Sequence, residues 1–302
     1  MNAGFNVVAA FDSWKSAIAV YRQNFPDLPV FELDLSSEDA AQRVAEHKPD
    51  VIIGGPPCQD FSSAGKRDES SGRAALTICF AQIVDEVKPA WFVMENVERA
   101  KKSRSLQKAN KIFRRAGYGL TLVVLDAGLC GAPQKRKRLF IIGKLGGKDD
   151  ALKARLVNHL SGKPTSMRDY FGDALDFEHY YRHPRSYKRR GIFSIDEPSP
   201  TIRGVSRPMP KGYPGHPGDS APKSATIRPL TTEMRSQVQT FPERFILEGS
   251  KTDLEQMIGN AVPVKLAEYV GMQLLDQIQE GLSFQLQLSQ VFEKLANVDA
   301  DA

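Results

Sequence analysis

The stretch DVIIGGPPCQDFSS, residues 50–63, runs from an apolar segment through two glycines and two prolines into a cysteine. DVIIGG (50–55) reads as a buried strand, because its β-branched residues form an unbroken run that glycine closes. Comparable runs recur on both sides: NVVAAFD (6–12), VFELDL (30–35), AWFVMENV (90–97), LTLVVLDA (120–127) and RLFIIGKL (138–145). Helix-period segments fall between them: SAIAVYRQNF (16–25), SEDAAQRVAEH (37–47) with Ser37 as its N-cap, ALTICFAQIVDEV (75–87), and SLQKANKIFRRAG (105–117), which Gly117 ends. Strands alternating with helices predict a parallel sheet covered on both faces, the doubly wound α/β class.

Beyond residue 145 the alternation stops. Residues 146–229 are polar and rich in Gly, Pro and basic side chains, as in GYPGHPGD (212–219), and read as a small loop-rich lobe. Periodicity returns near 231, and AVPVKLAEYVGMQLLDQIQ (261–279) predicts a long amphipathic helix. A further helix is expected from about 284, fraying at its Asp-Ala end. The expected division is 1–145, 146–229, and a C-terminal part, 230–302, that returns to the first domain.

A chain of 302 residues, 41% hydrophobic and 25% charged, has the composition of a soluble globular protein large enough for a substantial core. No apolar run is long enough to span a bilayer and no signal-peptide pattern opens the chain. Three cysteines, Cys58, Cys79 and Cys130, are too few and too scattered for a disulfide framework or a zinc cluster. They fit a reducing, cytoplasmic setting, and the sequence gives no sign of a metal. The net charge is +5, and RHPRSYKRR (182–190) gathers Arg182, Arg185, Lys188, Arg189 and Arg190 around Tyr187. Such interleaving suits phosphates and bases, and equally a solvated loop.

In a parallel sheet, chemistry collects at the carboxyl ends of the strands. Cys58 sits just past such an end, on a turn stiffened by Pro56 and Pro57. It reads either as a nucleophile or as a cysteine packed in a tight turn. Glu95 ends the next strand and should emerge on the same edge. A carboxylate there is costly unless paired or working. Arg136 and Arg138, in PQKRKR (133–138), alternate along one side of an extended segment.

Together these residues resemble the DNA cytosine-5 methyltransferase family. The resemblance rests on GPPCQDFS (55–62), ENV (95–97), the Q-x-R-x-R pattern of Gln134, Arg136 and Arg138, and IGNAVP (258–263) with RPLTTEMRSQVQTFPERF (228–245) before it. It implies a Rossmann-like S-adenosylmethionine-dependent methyltransferase sheet with a target-recognition lobe. The implied activity is methylation of C5 of a cytosine flipped out of double-stranded DNA, in a bacterial restriction–modification system. Cys58 would be the nucleophile and Glu95 would hold or protonate N3 of the ring. Arg138 and Arg136 would bind the base oxygen and a phosphate. The loop FSSAGKRDESSGR (61–73), with Ser62, Lys66 and Arg67, would close over the flipped nucleotide; otherwise it is a flexible surface loop. The basic segment, with Arg185, Lys188, Arg189 and Arg190, would meet DNA. Asp12, Asp34, Leu35, Gly55, Pro57, Leu76 and Asn260 match cofactor positions, although Asp12 and Asp34 also suit helix capping.

The family opens with a strand and a glycine-rich F-x-G-x-G loop, whereas this chain opens MNAGFNVVAAFD. By the resemblance, that strand, its loop and most of a helix are missing. A misplaced start or truncation, a second polypeptide that supplies the piece, and a degenerate inactive copy are the explanations. A tRNA cytosine-5 methyltransferase and a non-catalytic, partner-dependent subunit stand as alternative functions.

Overall fold

The computed structural model describes residues 3–57 and 72–300. The first half follows the alternation: β1 (Ala10–Asp12), α1 (Lys15–Asn24), β2 (Val30–Glu32), α2 (Ala40–Ala45), β3 (Val51–Gly54), α3 (Gly72–Val87), β4 (Trp91–Val97), α4 (Arg104–Arg115) and β5 (Tyr118–Asp126). β6 (Gln134–Lys135), β7 (Lys137–Leu145) and α5 (Lys153–Asn158) follow. The N-cap of α2 is Asp39; the expected cap, Ser37, instead donates its hydroxyl to the Asp34 carbonyl in a preceding turn. Ser103 caps α4 through the Leu106 N–H, and Gly117 ends that segment at a φ of 95°.

The main sheet has the order β3-β4-β7-β5. β3 and β4 are parallel, but β7 runs antiparallel to both neighbours, so the sheet is mixed rather than wholly parallel. The reason lies in the connection. Residues 127–136 hold only a single 3-10 turn and the two-residue β6. A parallel crossover needs a dozen or more residues, whereas an antiparallel return does not. β1 and β2 pair in parallel with each other and not with β3. They join the same layer through a shared core in which Phe11 and Ile52 pack with Leu33, Val44 and Ile83.

Both faces of the main sheet are covered. Phe92, Met94, Leu139 and Ile141 face α3 and α4, with the Phe92 and Phe113 rings stacked at 4.1 Å. Trp91, Val93, Phe140 and Ile142 face α5 and the long helix α9, through Leu152, Leu156, Leu266, Val270 and Leu274. This period-two partition is what a two-sided core requires of a strand.

The second half holds α6 (Met167–Phe171), β8 (His179–Tyr181), β9 (Ile192–Ser194), β10 (Ser199–Pro200), β11 (Arg228–Pro229), α7 (Thr232–Val238), α8 (Lys251–Asn260) and α9 (Val264–Ala300). β11, β8 and β9 form a small sheet, and β10 pairs with β6. Packing draws the boundaries differently from composition. α5 belongs to the first domain's core. Val238 and Ile258, from α7 and α8, share the lobe's core with Met167, Tyr180, Phe193 and Ile202. Only α9 returns to the main sheet, and it continues as one helix where two were expected.

Candidate active site

Because β7 is reversed, its beginning lies beside the end of β4. Val97 is in register with Arg138, and Glu95 with Phe140. Glu95 and Arg138 are therefore diagonal neighbours on one face. Arg138 Nε lies 2.8 Å from Glu95 Oε1, with the side chains 12% and 16% exposed respectively. Burial pushes the Glu95 carboxyl above the usual range, and the attraction of Arg138 and then Arg136 pulls it back without cancelling the rise. Burial and the two guanidiniums thus act on the carboxyl in opposite senses, and Arg138 fixes its orientation.

The end of β3 meets the same carboxyl. Gly54 is in register with Met94. A Cβ on Gly55 would lie 3.2 Å from Glu95 Oε2, closer than ordinary contact, so the glycine permits the approach. Asn96, 2% exposed, donates through Nδ2 to the Pro56 carbonyl at 3.4 Å and accepts the Val97 N–H through Oδ1 at 2.8 Å. Asn96 therefore ties the Pro-Pro turn to β4, a role that sequence reasoning had not assigned. The described chain stops at Pro57; Cys58, Ser62, Lys66, Arg67 and the rest of the expected closing loop through residue 71 lie outside it. Of the described thiols, Cys79 is raised by burial, and Cys130 is pushed by burial up to about 12, as befits packed side chains.

Arg136 departs from its expected role at a phosphate. It is 1% exposed, and its guanidinium donates to the carbonyls of Ile202 (2.9 Å), Gly259 (2.8 Å) and Ala261 (2.8 Å). Gln134, fully buried, donates to Gln239 Oε1 at 2.7 Å and accepts from the Ile202 N–H at 2.9 Å. Gln239 in turn donates to the Ile258 carbonyl and, at 3.0 Å, to that of Ala261. The Q-x-R half of the motif thus clamps three segments together, and only Arg138 faces the carboxyl. A Cβ on Gly259 would lie 2.1 Å from the Gly204 backbone nitrogen, so the glycine of IGNAVP makes room for the chain after Thr201.

Asp12 and Asp34 lie at or just past the ends of the parallel strands β1 and β2, hence on one edge, and both are exposed. Asp12 Oδ1 accepts the Trp14 N–H at 2.8 Å ahead of α1. Asp34 Oδ1 accepts the Ser36 N–H and hydroxyl, which hold its carboxyl below the usual range. Both carboxylates thus hold turns ahead of the next helix, and the capping expected of them does not occur: the N-caps are Trp14 and Asp39. Leu35 and Leu76 are half-buried; Gly55, Pro57 and Asn260 are exposed, and Asn260 accepts from Gln256. In the basic segment Arg185, Lys188 and Arg189 are exposed. Arg190 is engaged: it pairs with Glu197 and lies 4.3 Å over the Phe193 ring.

The chain matches the family described as C-5 cytosine-specific DNA methylase over residues 1–276, and it belongs to that family. It is 55% identical over 278 residues to the Type II methyltransferase M.HindV of Haemophilus influenzae, covering 91% of this chain and 90% of that protein. It is 53% identical over 289 residues to the Type II methyltransferase M.HgiDI of Herpetosiphon aurantiacus, covering 95% and 93%. The fold is similar to that of S. pombe Dnmt2 methyltransferase, with a TM-score of 0.68 at 19% identity over 90% of this chain and 91% of that one.

Proposed function

We propose that this protein transfers a methyl group from S-adenosylmethionine to C5 of a cytosine flipped out of double-stranded DNA, as the modification component of a Type II restriction–modification system. The observation that carries the reading is Glu95: a buried carboxyl, raised above the usual range and oriented by Arg138, beside the turn that leads into Cys58. The full-length similarity to two Type II methyltransferases supports the DNA substrate.

Cytosine C5 is a weak nucleophile. Bonding of the Cys58 thiolate to C6 moves ring electrons toward N3 and makes C5 electron-rich. Glu95 supplies the proton that N3 takes up, and Arg138 orients Glu95 and donates to the base oxygen. The cofactor supplies the electrophilic methyl group. With C5 methylated, N3 returns its proton to Glu95; water or another base then takes the C5 proton, the C6–S bond breaks, and the Cys58 thiolate leaves as aromaticity is restored. The donor set fits the cofactor's chemistry. The exposed carboxylates of Asp12 and Asp34 can accept from ribose hydroxyls and an adenine amine, beside the apolar Leu35 and the open backbone at Gly55. Pro57, Leu76 and Asn260 complete that set, and Ser62, Lys66, Arg67, Arg185, Lys188 and Arg189 are the expected DNA contacts. The reading places the protein in the bacterial cytoplasm.

The test is transfer of labelled methyl groups to unmethylated DNA. Cys58→Ser should abolish transfer and leave DNA binding in place; transfer at the normal rate would refute the assignment. Calorimetric titration of S-adenosylmethionine separates a chain that suffices alone from one that a second polypeptide completes.

A further inference from the structure

The small lobe holds a cleft lined by arginines that the chemistry above does not use. Arg182 follows β8, and its Nη2 donates to the Thr201 carbonyl at 2.8 Å. Arg203, on the facing segment, donates to the His183 carbonyl, and Arg235 donates to the Arg203 carbonyl. Arg207 also lines the cleft. Arg185 stands close enough to act electrostatically on both Arg182 and Arg203. Arg182 and Arg203 are half-buried; Arg185 and Arg207 are exposed.

The lobe treats its arginines in two ways. Arg190 is matched by Glu197, and Arg235 by Glu255. Among the described residues no carboxylate pairs with Arg182, Arg185, Arg203 or Arg207. Burial, and then the neighbouring Arg203, hold Arg182 down to about 10. Burial, then Arg185 and Arg207, lower Arg203 in the same way. His183 beside them is also lowered, by burial and by Arg207 and Arg203, and an imidazole offers no negative charge to offset theirs. Like charges gathered in a partly desolvated cleft raise the free energy of the empty site, and an anion relieves that repulsion where a neutral base edge does not.

We propose that Arg182, Arg203 and Arg207, with Arg185 at the rim, form a phosphate site that seats one segment of the DNA backbone against the small lobe; the proposal rests on the DNA methylation reading. Bonds from Arg182 and Arg203 to backbone carbonyls fix those guanidinium planes in advance, and a planar fork suits phosphate oxygens. The site adjoins the catalytic edge. Thr201 Oγ1 donates to the Lys135 carbonyl at 2.9 Å, and Arg136 donates to the Ile202 carbonyl at 2.9 Å. A phosphate held there sets the register of the duplex relative to Glu95 and Arg138 without reading sequence.

The test uses Arg207→Gln and Arg185→Gln, singly and together, and Arg203→Gln. The first two sites are exposed, so the pair carries the test even if Arg203→Gln fails to fold. Binding is measured by fluorescence anisotropy over a salt series, on one duplex that the unaltered protein methylates and one of equal length that it does not. The expected result is a similar fold-loss of affinity on both duplexes. The slope of log affinity against log salt should shrink by about 0.9 for each phosphate contact removed. Unchanged slopes in variants of a protein that itself binds DNA would overturn the site alone. A loss confined to the methylated duplex would also overturn it, in favour of base reading. Failure of the unaltered protein to bind either duplex would overturn the DNA reading and the site with it.

Discussion

Arg136→Met tests whether the arginine pair of Q-x-R-x-R divides its labour. Methionine keeps an apolar stem in a site where the arginine is 1% exposed, and it removes the donors that reach Ile202, Gly259 and Ala261. A hydrogen bond from a charged group contributes about 1.5–3 kcal/mol net, and a buried carbonyl left without its donor costs about 1–3 kcal/mol. Relief of a buried charge offsets part of this, so the expected loss is about 3–5 kcal/mol, the range for breaking a buried charged network. Urea titration followed by tryptophan fluorescence reads it, since Trp91 is 7% exposed in β4, on the sheet that carries Arg136's neighbour Arg138. Arg136→Lys keeps the charge on a flexible stem that cannot span all three carbonyls, and should lose roughly half as much. Arg138→Met should instead abolish methyl transfer; it leaves the buried Glu95 carboxyl without its partner, at about 1–3 kcal/mol, but keeps the three-segment clamp intact. A loss below ~1 kcal/mol for Arg136→Met, together with failed DNA binding, would refute the clamp and return Arg136 to a phosphate-contact role.

Glu95→Gln should slow methyl transfer by about 10²–10⁴-fold, the usual contribution of a positioned acid. Because burial raises the Glu95 carboxyl, the native state keeps its proton in a window where the unfolded chain has lost it. Stability should fall as pH rises from the ordinary carboxylate value to the raised one; transfer should fall as pH passes the raised value. Glu95→Gln should remove that fall in stability, as pH-dependent denaturant midpoints would show. Gly259→Ala should destabilise by roughly 3 kcal/mol or more in urea titration, because its Cβ would meet the Gly204 and Arg203 backbone rather than a side chain that can turn aside. Asn96→Ala should lower kcat with little change in cofactor affinity measured by calorimetry, since it frees the Pro56 carbonyl at the turn into Cys58 and leaves Asp12 and Asp34 in place.

The alternation of apolar runs with helix-period segments was legible because strands buried on both faces and their covering helices each leave a periodic trace. The reversal of β7 left a trace too, in the shortness of residues 127–136, but strand periodicity carries no direction. Glu95 and Arg138 could be placed on one edge from the sequence; that they touch, and that Arg136 turns away, depends on register and on carbonyls more than 60 residues further along the chain. The lobe boundary escaped composition because α7 and α8 are ordinary helices whose apolar faces fit either core. The role of Asn96 escaped because an asparagine at a strand end signals a turn as readily as a tether.

The buried part of the contact between lobe and main sheet, at Q-x-R-x-R, is made of amides, backbone carbonyls and one guanidinium: Gln134, Gln239 and Arg136 with Ile202, Gly259 and Ala261. The amides carry no charge at any pH, and a guanidinium keeps its charge throughout the range in which an enzyme works. Screening by salt is weak for groups so deeply enclosed. Gln134 and Gln239 therefore hold this inner seam together by bonds that neither pH nor salt in the working range weakens. Salt and pH act instead at the outer contact with α1, where the Asp253 and Glu248 carboxylates accept from Ser16 and Gln23.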